Sequence, residues 1–242
     1  MSKNVLITGA SQGIGKEIAK VLSNADYNIF LTSRNKSKLK EVSQEINACD
    51  YCVCDLACET ALKKLKKFIE DKQIDILVNN AGEYIYEKID DTDYQKLLKV
   101  YSVNLLASTF LCSAVAKGMK KRGWGRIINI GSISGVMGEA YASVYSASKA
   151  GLIGLSRSLA LELAEFNITV NTINPGWVET ELGMKSVEES EFSLSETLET
   201  IPQKRFVNPE EVGKLVEYLI SDSAKGITGQ SINLCAGLSV GI

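Results

Sequence analysis

The chain has 242 residues, of which 45% are apolar and 23% are charged, so it is a globular protein long enough to fill one sizeable core. Its net charge of −2 excludes the basic footprint of a protein that binds nucleic acid or an anionic membrane. Histidine is absent, which excludes a Ser-His-Asp triad, a Cys-His pair and a histidine zinc site.

Two further features bear on where the protein works. No apolar run approaches the roughly 18–20 residues of a membrane helix, and the first predicted strand begins too close to Met1 to leave room for a signal peptide. Four cysteines cluster at Cys49, Cys52, Cys54 and Cys58, but no second Cys-x-x-Cys pair accompanies them. We therefore predict a cytoplasmic protein with reduced thiols, no metal site, and no membrane or nucleic-acid partner.

The first predicted elements are a strand, a glycine-rich turn and a helix. Residues 4–8 are apolar and β-branched, glycines follow at once, and residues 16–22 have helical spacing. This order is typical of a dinucleotide-binding unit, in which free N–H groups at a helix start bind a pyrophosphate. The turn also matches Gly-x-Ser-x-Gly, but without a histidine base its serine is not a hydrolase nucleophile. We predict cofactor contacts at Gly9, Ser11, Gln12, Gly13, Ile14 and Gly15.

The second predicted strand, residues 27–32, is followed by Ser33 and Arg34. In proteins that bind NAD, an acidic residue near this strand end accepts the ribose hydroxyls, whereas an arginine suits a 2′-phosphate. No carboxylate occurs between residues 31 and 40. We therefore predict NADP, used as NADPH, in preference to NAD. The alternative is a solvated basic turn that opens a helix over residues 36–46.

The third predicted strand, residues 50–54, is followed by Asp55 and Leu56. A carboxylate at the carboxyl end of a strand beside the glycine turn can accept a hydrogen bond from an adenine amine. Alternatively, Asp55 caps a helix that starts near Ala57.

From residue 74 to residue 119 the pattern predicts a strand, a loop and a long helix. The strand, residues 74–78, is soon followed by Asn80-Ala81-Gly82, whose small residues allow a cofactor to pass close to the backbone. The helix, residues 93–119, carries Asn104 among apolar residues, which is unfavourable unless the amide is paired. Asn104 is therefore either an amide that bridges a kink or a relay that holds water near Lys149.

The residues that carry chemistry follow the fifth predicted strand, residues 126–130. Ser132 lies just beyond the strand, and Tyr145 and Lys149 lie four residues apart on a helix predicted over about residues 143–166. On a helix these two side chains share a face, so a nearby ammonium lowers the pKa of the phenol. Such a tyrosine exchanges a proton with a carbonyl or alcohol oxygen that the serine hydroxyl holds. This arrangement predicts interconversion of a ketone and an alcohol.

A Tyr-x-x-x-Lys pair alone is weak evidence. Tyr84 and Lys88 repeat the spacing without a serine and a strand before them, and we predict that they lie on the surface. By itself, the pair Tyr145 and Lys149 is also consistent with a tyrosine at a helix start and a solvated lysine.

The last part of the chain predicts two more strands and a lid. Residues 168–173 and 231–234 are strand-like, and Pro209 opens a helix that extends to residue 220. Between them the segment 181–200 is polar and acidic, and we predict a mobile lid over about residues 181–205. No domain boundary interrupts residues 1–242, so the predicted fold is a single α/β domain.

Taken together, these motifs resemble the short-chain dehydrogenase/reductase family along essentially the whole chain. The glycine turn, Asp55 and Asn80-Ala81-Gly82 match its cofactor motifs in order. Four residues match its catalytic tetrad in order and spacing: Asn104, Ser132, Tyr145 and Lys149. The segment that grips the nicotinamide amide is matched by Pro175, Gly176, Val178 and Thr180.

The resemblance implies a Rossmann-like, doubly wound parallel sheet with helices on both faces. It implies that Tyr145 is the general acid and base, that Ser132 orients the substrate oxygen, and that Lys149 holds the nicotinamide ribose and lowers the tyrosine pKa. Asn104 would anchor a proton relay. The family is usually tetrameric or dimeric, so a homotetramer or homodimer is expected.

Within the family, residues 201–212 and 227–233 resemble the 3-oxoacyl-[acyl-carrier-protein] reductases. Two features depart from that group: Glu165-Phe166-Asn167 stands where a basic residue is common, and Cys235-Ala236-Gly237 replaces Asp-Gly-Gly. The basic run Lys120-Lys121-Arg122 is either a docking patch for the acidic carrier protein or a solvated helix end.

The resulting prediction is an NADPH-dependent carbonyl reductase that acts on a 3-oxoacyl thioester, with a small ketone, a sugar or a CoA thioester as alternative substrates. The runner-up enzyme is an alcohol, sugar or polyol dehydrogenase that uses the same tetrad. The alternative outside enzymes is a catalytically silent dinucleotide sensor, which has no need of Tyr145 or Ser132.

Overall fold

The computed structural model describes residues 2–189 and 193–240. Its strands are β1 (Lys3–Thr8), β2 (Tyr27–Ser33), β3 (Asp50–Val53), β4 (Ile76–Asn79), β5 (Gly125–Ile130), β6 (Ile168–Pro175) and β7 (Ser231–Leu234). Within the described residues these seven strands form one parallel sheet in the order β3-β2-β1-β4-β5-β6-β7. The order changes direction between β1 and β4, so the carboxyl ends of these strands leave a crevice between the connections that follow them.

Helices connect successive strands. They are α1 (Gly13–Ser23), α2 (Lys36–Glu45), α3 (Glu59–Lys72), α4 (Tyr94–Tyr101), α5 (Ala107–Arg122), α6 (Ser134–Met137), α7 (Ser143–Leu163), α8 (Glu181–Glu189), α9 (Leu194–Thr200) and α10 (Pro209–Ile220). The sequence encodes some of their ends: Asn208 caps α10 and forms a capping box with Glu211, and Pro209 occupies the first turn.

The sheet is covered by apolar side chains on both faces. Ile18 and Leu22 of α1 and Val216 of α10 belong to one buried layer. Leu65 of α3 and Leu111 of α5 belong to the other. Strands buried on both faces read as apolar runs without alternation, which is why β1, β4 and β5 were recognisable from the sequence. The predicted doubly wound parallel sheet with helices on both faces is confirmed.

The predicted helical stretch over residues 93–119 is observed as the unbroken helical run Tyr94–Arg122, with one irregularity that the sequence did not reveal. A π turn, Ser102–Leu106, separates α4 from α5, and Asn104 lies within it. An apolar helical pattern does not reveal such a turn, because one extra residue hardly disturbs the spacing of the apolar side chains. The predictions for α10 and β7 are confirmed to the residue.

The stretch Tyr94–Arg122 has the length and mean hydropathy, 1.4, of a helix that can cross a membrane. Half of its most apolar window is buried inside the fold, where α5 packs against α3 and α7. Core helices of globular proteins pass the same test, so the apolarity of this stretch is accounted for by packing.

The segment predicted as a lid contains α8 and α9. Ser193 caps α9 and forms a capping box with Glu196, and residues 190–192 lie outside the described residues. Farther on, Val207 pairs with Val178 in an isolated parallel bridge, which ties the end of this segment to the loop after β6. Motion of the lid stays a prediction.

Two helical glycines provide a test of the packing between α1 and α10. A Cβ atom added to Gly213 would lie 2.7 Å from Cγ2 of Val21, whereas one added to Gly154 of α7 meets nothing within 4 Å. We expect Gly213→Ala to lower the free energy of unfolding by about 1–3 kcal/mol through overpacking. We expect Gly154→Ala to raise it by about 0.5–1 kcal/mol through helix propensity. Urea denaturation of both variants checks this, and equal effects would contradict the close approach of the two helices.

Candidate active site

The crevice between β1 and β4 opens into a cavity of about 360 Å³, called the switch-point cleft here. Fifteen residues predicted to contact the cofactor line it: Gly9, Ser11, Gln12, Gly13, Ile14, Ser33, Arg34, Asp55, Leu56, Asn80, Ala81, Gly82, Tyr145, Lys149 and Thr180. The topology brings them together, because parallel strands present their carboxyl ends, and the loops that follow, at one edge of the sheet.

The glycine turn has two distinct tasks. Gly9 and Gly13 have φ values of +65° and +56°, which side-chain-bearing residues rarely adopt. A Cβ on Gly15 would lie 2.4 Å from the Asn80 amide nitrogen and 2.5 Å from the Gly9 oxygen. Gly15 is buried, and its lack of a side chain allows Asn80 to pack against the turn; contact of Gly15 with the cofactor stays a prediction. Asn80 in turn donates to the Thr8 backbone oxygen at 2.9 Å, which joins the ends of β1 and β4.

Charged side chains stand at the rim of the switch-point cleft. Arg34 is 63% exposed, and its guanidinium lies 3.3 Å from a carboxylate oxygen of Glu83. Lys38 donates to the Gln12 amide oxygen at 2.9 Å, so a second cation stands beside the glycine turn. The sequence reasoning missed both Glu83 and Lys38. The sequence held two signals for them: Glu83 directly follows Asn80-Ala81-Gly82, and Lys38 lies four residues after Arg34.

Asp55 does not cap the helix that follows it. Its carboxylate accepts from the Ala57 N–H at 3.0 Å, and α3 begins only at Glu59, with Cys58 in the capping position. The capping alternative is therefore wrong, because the chain makes a short turn before the helix starts. The carboxylate is exposed and lies on the wall of the switch-point cleft beside the buried Leu56.

Asn104 is fully buried, and its amide is paired on both sides. The oxygen accepts from the Glu83 N–H at 2.7 Å, and the nitrogen donates to the Glu83 oxygen at 3.0 Å and to Ser148 Oγ at 2.9 Å. Asn104 thus bridges the loop after β4 and helix α7, which is the structural alternative drawn from the sequence. A relay role for Asn104 stays a prediction.

Tyr145 and Lys149 occupy successive turns of α7. Lys149 is 3% exposed, its Nζ donates to the Ile130 oxygen at 2.8 Å, and it lies 5.6 Å from the centroid of the Tyr145 ring. Ser132 is buried beside them, close enough to the Tyr145 hydroxyl to lower its pKa, and its Oγ donates to Ser134 Oγ at 3.1 Å. The structure therefore brings Ser132, Tyr145 and Lys149 together as the sequence predicts.

The expected lowering of the tyrosine pKa is wrong for this structure. The pKa of Tyr145 is raised to about 12, mainly by burial and to a smaller extent by the Glu139 charge, and the interaction with Ser132 only partly offsets these effects. Burial also lowers the pKa of Lys149 to about 8. The lysine ammonium is turned toward a backbone carbonyl, so desolvation of both groups outweighs their mutual attraction.

A cavity of about 240 Å³, called the side pocket here, adjoins the switch-point cleft. Tyr145 lines both cavities, and Ser132 lines the side pocket. Three further residues predicted to contact the cofactor, Pro175, Gly176 and Val178, also line the side pocket.

The prediction that Tyr84 and Lys88 lie on the surface is wrong for Tyr84. Its ring meets the Tyr145 ring edge-on at a centroid distance of 4.9 Å, and its hydroxyl donates to Glu139 at 2.9 Å. Burial raises the pKa of Tyr84 well above its usual range. Residues 80–88 are not helical, so Tyr84 and the exposed Lys88 do not share a helix face. The loop carries the tyrosine alone into the side pocket.

The six cysteines are free thiols, of which Cys54 lines the switch-point cleft. Across residues 2–189 and 193–240, no three His, Cys, Asp or Glu side chains are arranged to hold a metal ion. Cys54 is buried, and burial raises its pKa to about 12. At neutral pH this thiol is therefore protonated.

Comparison with known proteins places this geometry among related chains. The sequence model of the short chain dehydrogenase family matches residues 3–191. The 3-oxoacyl-[acyl-carrier-protein] reductase FabG of Buchnera aphidicola subsp. Schizaphis graminum is 36% identical, over 98% of this chain and 97% of its own length. The D-beta-hydroxybutyrate dehydrogenase of Rhizobium meliloti is 34% identical, over 98% of each chain. A crystal structure of an actinorhodin polyketide ketoreductase variant with NADPH superposes with a TM-score of 0.94 at 35% identity, covering 99% of this chain and 98% of its own.

The lowered pKa of Lys149 predicts a pH dependence of stability. The folded chain releases this proton near pH 8 and the unfolded chain near pH 10.5, so between these values the unfolded state binds more protons and stability rises with pH. We expect the free energy of unfolding of the wild type to gain about 2 kcal/mol relative to Lys149→Met between pH 7 and pH 10. Urea denaturation at both pH values measures this, and a constant difference would contradict the buried ammonium.

Proposed function

The chain belongs to the short-chain dehydrogenase family, and we propose that within this family it is an NADPH-dependent carbonyl reductase that converts a 3-oxoacyl thioester to the 3-hydroxyacyl product. The observation that carries the proposal is that Tyr145 stands on the wall shared by the switch-point cleft and the side pocket. A proton donor in that position reaches a carbonyl in one cavity while a cofactor occupies the other.

The residues of the switch-point cleft fit a nicotinamide dinucleotide. Gln12 caps α1 without a side-chain hydrogen bond, and a Cβ on Gly13 would meet only Thr180, at 3.8 Å, which leaves room for a pyrophosphate at the helix start. Arg34 and Lys38 supply positive charge for a 2′-phosphate, and Asp55 is available to an adenine amine. When bound, NADPH supplies the hydride that reduces the carbonyl carbon.

The protein's own side chains would hold and transfer the proton. With a pKa near 12, Tyr145 holds its proton at neutral pH and can donate it to the oxygen of a carbonyl as that oxygen gains negative charge. Ser132 lines the side pocket and would orient the same oxygen. Lys149 would hold the nicotinamide ribose from the switch-point cleft, and Asn104 would anchor the relay that returns a proton to the tyrosine.

Two facts support an acyl thioester as the substrate. The side pocket has apolar walls that include Met137, Trp177 and Leu238, which suit an acyl chain. Related chains are named for 3-oxoacyl-[acyl-carrier-protein] and polyketide ketoreduction. The alternative is an alcohol, sugar or polyol dehydrogenase. The polar groups Ser134 and Glu139 suit the hydroxyls of an uncharged sugar or polyol, and one relative is named as a dehydrogenase, of D-beta-hydroxybutyrate. The non-enzymatic alternative is a protein that senses the dinucleotide without catalytic activity.

The remaining parts of the proposal concern partners. The candidate partner is an acyl carrier protein, which the basic run 120–122 would bind. Arg122 forms an ion pair with Asp75 at 2.9 Å, and Lys120 lies over the ring of Phe166. Lys121 is therefore the cation of this run that is most available for docking. We further propose a homotetramer or homodimer located in the cytoplasm, in which the segment 181–205 closes over the substrate.

Tyr145→Phe tests the assignment of the acid. Removal of a positioned proton donor lowers turnover by about 100-fold or more, and we expect this loss in the reduction of acetoacetyl-CoA with NADPH consumption followed by absorbance. The Kd for NADPH, measured by fluorescence titration, should change by less than about threefold, because the ring remains in place.

Tyr94→Phe is the matched control. Tyr94 is 69% exposed at the start of α4 and lines neither cavity, so this variant removes a phenol without touching the site. Undiminished reduction in Tyr145→Phe would show that another group donates the proton. Binding of NADPH without turnover of any carbonyl or alcohol by the wild type would favour the sensor.

Arg34→Ala tests the cofactor preference. Loss of a charge-assisted hydrogen bond weakens binding by about tenfold to a hundredfold, and we expect this change in the Kd for NADPH but not in that for NADH. Lys40→Ala is the control, since Lys40 is an exposed lysine of the same helix as Lys38 and does not line the switch-point cleft. An unchanged ratio of the two Kd values would contradict the assignment of Arg34 to the phosphate.

A further inference from the structure

One carboxylate lies inside the side pocket. Glu139 follows Gly138, whose φ of +80° turns the chain between α6 and α7, and its side chain is half-buried on the pocket wall. One carboxylate oxygen accepts from the Tyr84 hydroxyl at 2.9 Å, and the other accepts from Ser134 Oγ at 2.6 Å. Ser134 Oγ also accepts from Ser132 Oγ at 3.1 Å. Glu139 is thus linked to Ser132 through the hydroxyl of Ser134. Its other oxygen binds the hydroxyl of Tyr84, whose ring packs on Tyr145.

The charge of Glu139 has no neutralising partner among the described residues. Both of its side-chain donors are uncharged hydroxyls, and within residues 2–189 and 193–240 no ion pair involves Glu139. The described residues that line the side pocket include no lysine and no arginine. The nearby Lys149 lines the switch-point cleft instead and donates to the Ile130 oxygen. The field of Glu139 reaches the reacting group, because its charge contributes to the raised pKa of Tyr145.

We propose that Glu139 determines substrate specificity by making the side pocket select carbonyl compounds that are uncharged next to the ketone and reject 3-oxo acids and sugar acids. This inference rests on the proposed reductase function and narrows its substrate class to thioesters, esters, amides and ketones.

The physical reason is that no cation among the described lining residues would compensate the charge of a substrate carboxylate. A substrate carboxylate beside the ketone would enter a partly dehydrated pocket whose described lining contains the carboxylate of Glu139 and no lysine or arginine. A thioester or an ester presents only a carbonyl oxygen and carbon there, and it leaves the hydrogen bonds of Glu139 undisturbed. A site built for a keto acid would instead be expected to place an arginine or a lysine in this wall.

The test uses two substrates with one carbon skeleton, acetoacetate and methyl acetoacetate, which differ in charge next to the same ketone. For the wild type we expect kcat/KM with NADPH to be at least about a hundredfold higher for the ester. In Glu139→Gln this ratio should fall at least tenfold through a higher kcat/KM for acetoacetate. Glu179→Gln, an exposed carboxylate outside the side pocket, makes the same charge change and should leave the ratio unaltered.

A second variant covers the case in which Glu139→Gln does not fold. Met137 is 44% exposed on the same pocket wall, so Met137→Lys adds a cation where the structure has none. It should also raise kcat/KM for acetoacetate relative to the ester. Equal ratios in the wild type and in every folded variant, or a wild type that prefers acetoacetate, would overturn the inference and leave the reductase function intact.

Binding separates failure of the inference from failure of the proposed function. Saturation-transfer NMR with NADP⁺, which cannot reduce either compound, measures whether each ligand contacts the protein. If neither compound is reduced but the wild type binds only the ester, and Glu139→Gln also binds acetoacetate, the selectivity stands and the proposed reduction fails. If the wild type binds both compounds equally well, or neither, the inference fails whatever the turnover.

Discussion

The site depends on the side-chain amide of one buried asparagine. Asn104 makes three hydrogen bonds, two to the backbone of Glu83 and one to Ser148. A buried amide left without partners costs about 1–3 kcal/mol, so the fold must keep the loop after β4 and helix α7 in contact with it. The π turn Ser102–Leu106 carries Asn104 between them. Because Glu83 is fixed through both its N–H and its oxygen, the next residue, Tyr84, is placed against Tyr145.

Burial, and not the lysine charge, decides the acidity of this site. Lys149 Nζ is 5.6 Å from the centroid of the Tyr145 ring, and at an effective dielectric constant near 20 a pair of charges at that distance attracts by about 3 kcal/mol. Full burial shifts a pKa by up to about 3–5 units, which is about 4–7 kcal/mol for each group. The attraction therefore offsets only part of the penalty. Both groups move toward their neutral forms, which leaves the phenol protonated at neutral pH.

Features of the fold that depend on local residue patterns, or on the order of motifs along the chain, could be predicted from the sequence. Apolar runs predicted the buried strands, and the parallel topology then required Gly9, Asn80 and Ser132 to converge on one edge. Features that depend on distant partners were not predictable. The π turn at Asn104 is one, because its stabilising bonds go to the loop after β4.

The contact between Tyr84 and Glu139 was not predictable from the sequence for the same reason. They are 55 residues apart in sequence and meet only because a non-helical loop and a glycine turn both face the side pocket. The periodicity of either segment carries no sign of this contact. The close approach of Asn80 to Gly15 was also hidden from the sequence, since the two residues are 65 positions apart.

The two cavities on either side of Tyr145 differ in charge. The wall of the switch-point cleft carries the cations Arg34 and Lys149 and also the carboxylates Asp55, Glu83 and Glu181. Lys38 stands beside the glycine turn, and a helix begins there, so cations and free N–H groups that suit an anionic dinucleotide are present in this cavity. Among the described residues that line the side pocket, Glu139 is the one carboxylate, and none is a lysine or an arginine. A phosphate can therefore pair with a cation on the cleft side of the tyrosine, whereas the described lining of the side pocket offers it no cation. The same carboxylate helps to keep the proton on Tyr145, so the charge that separates the two ligands also maintains the acid form that carbonyl reduction requires.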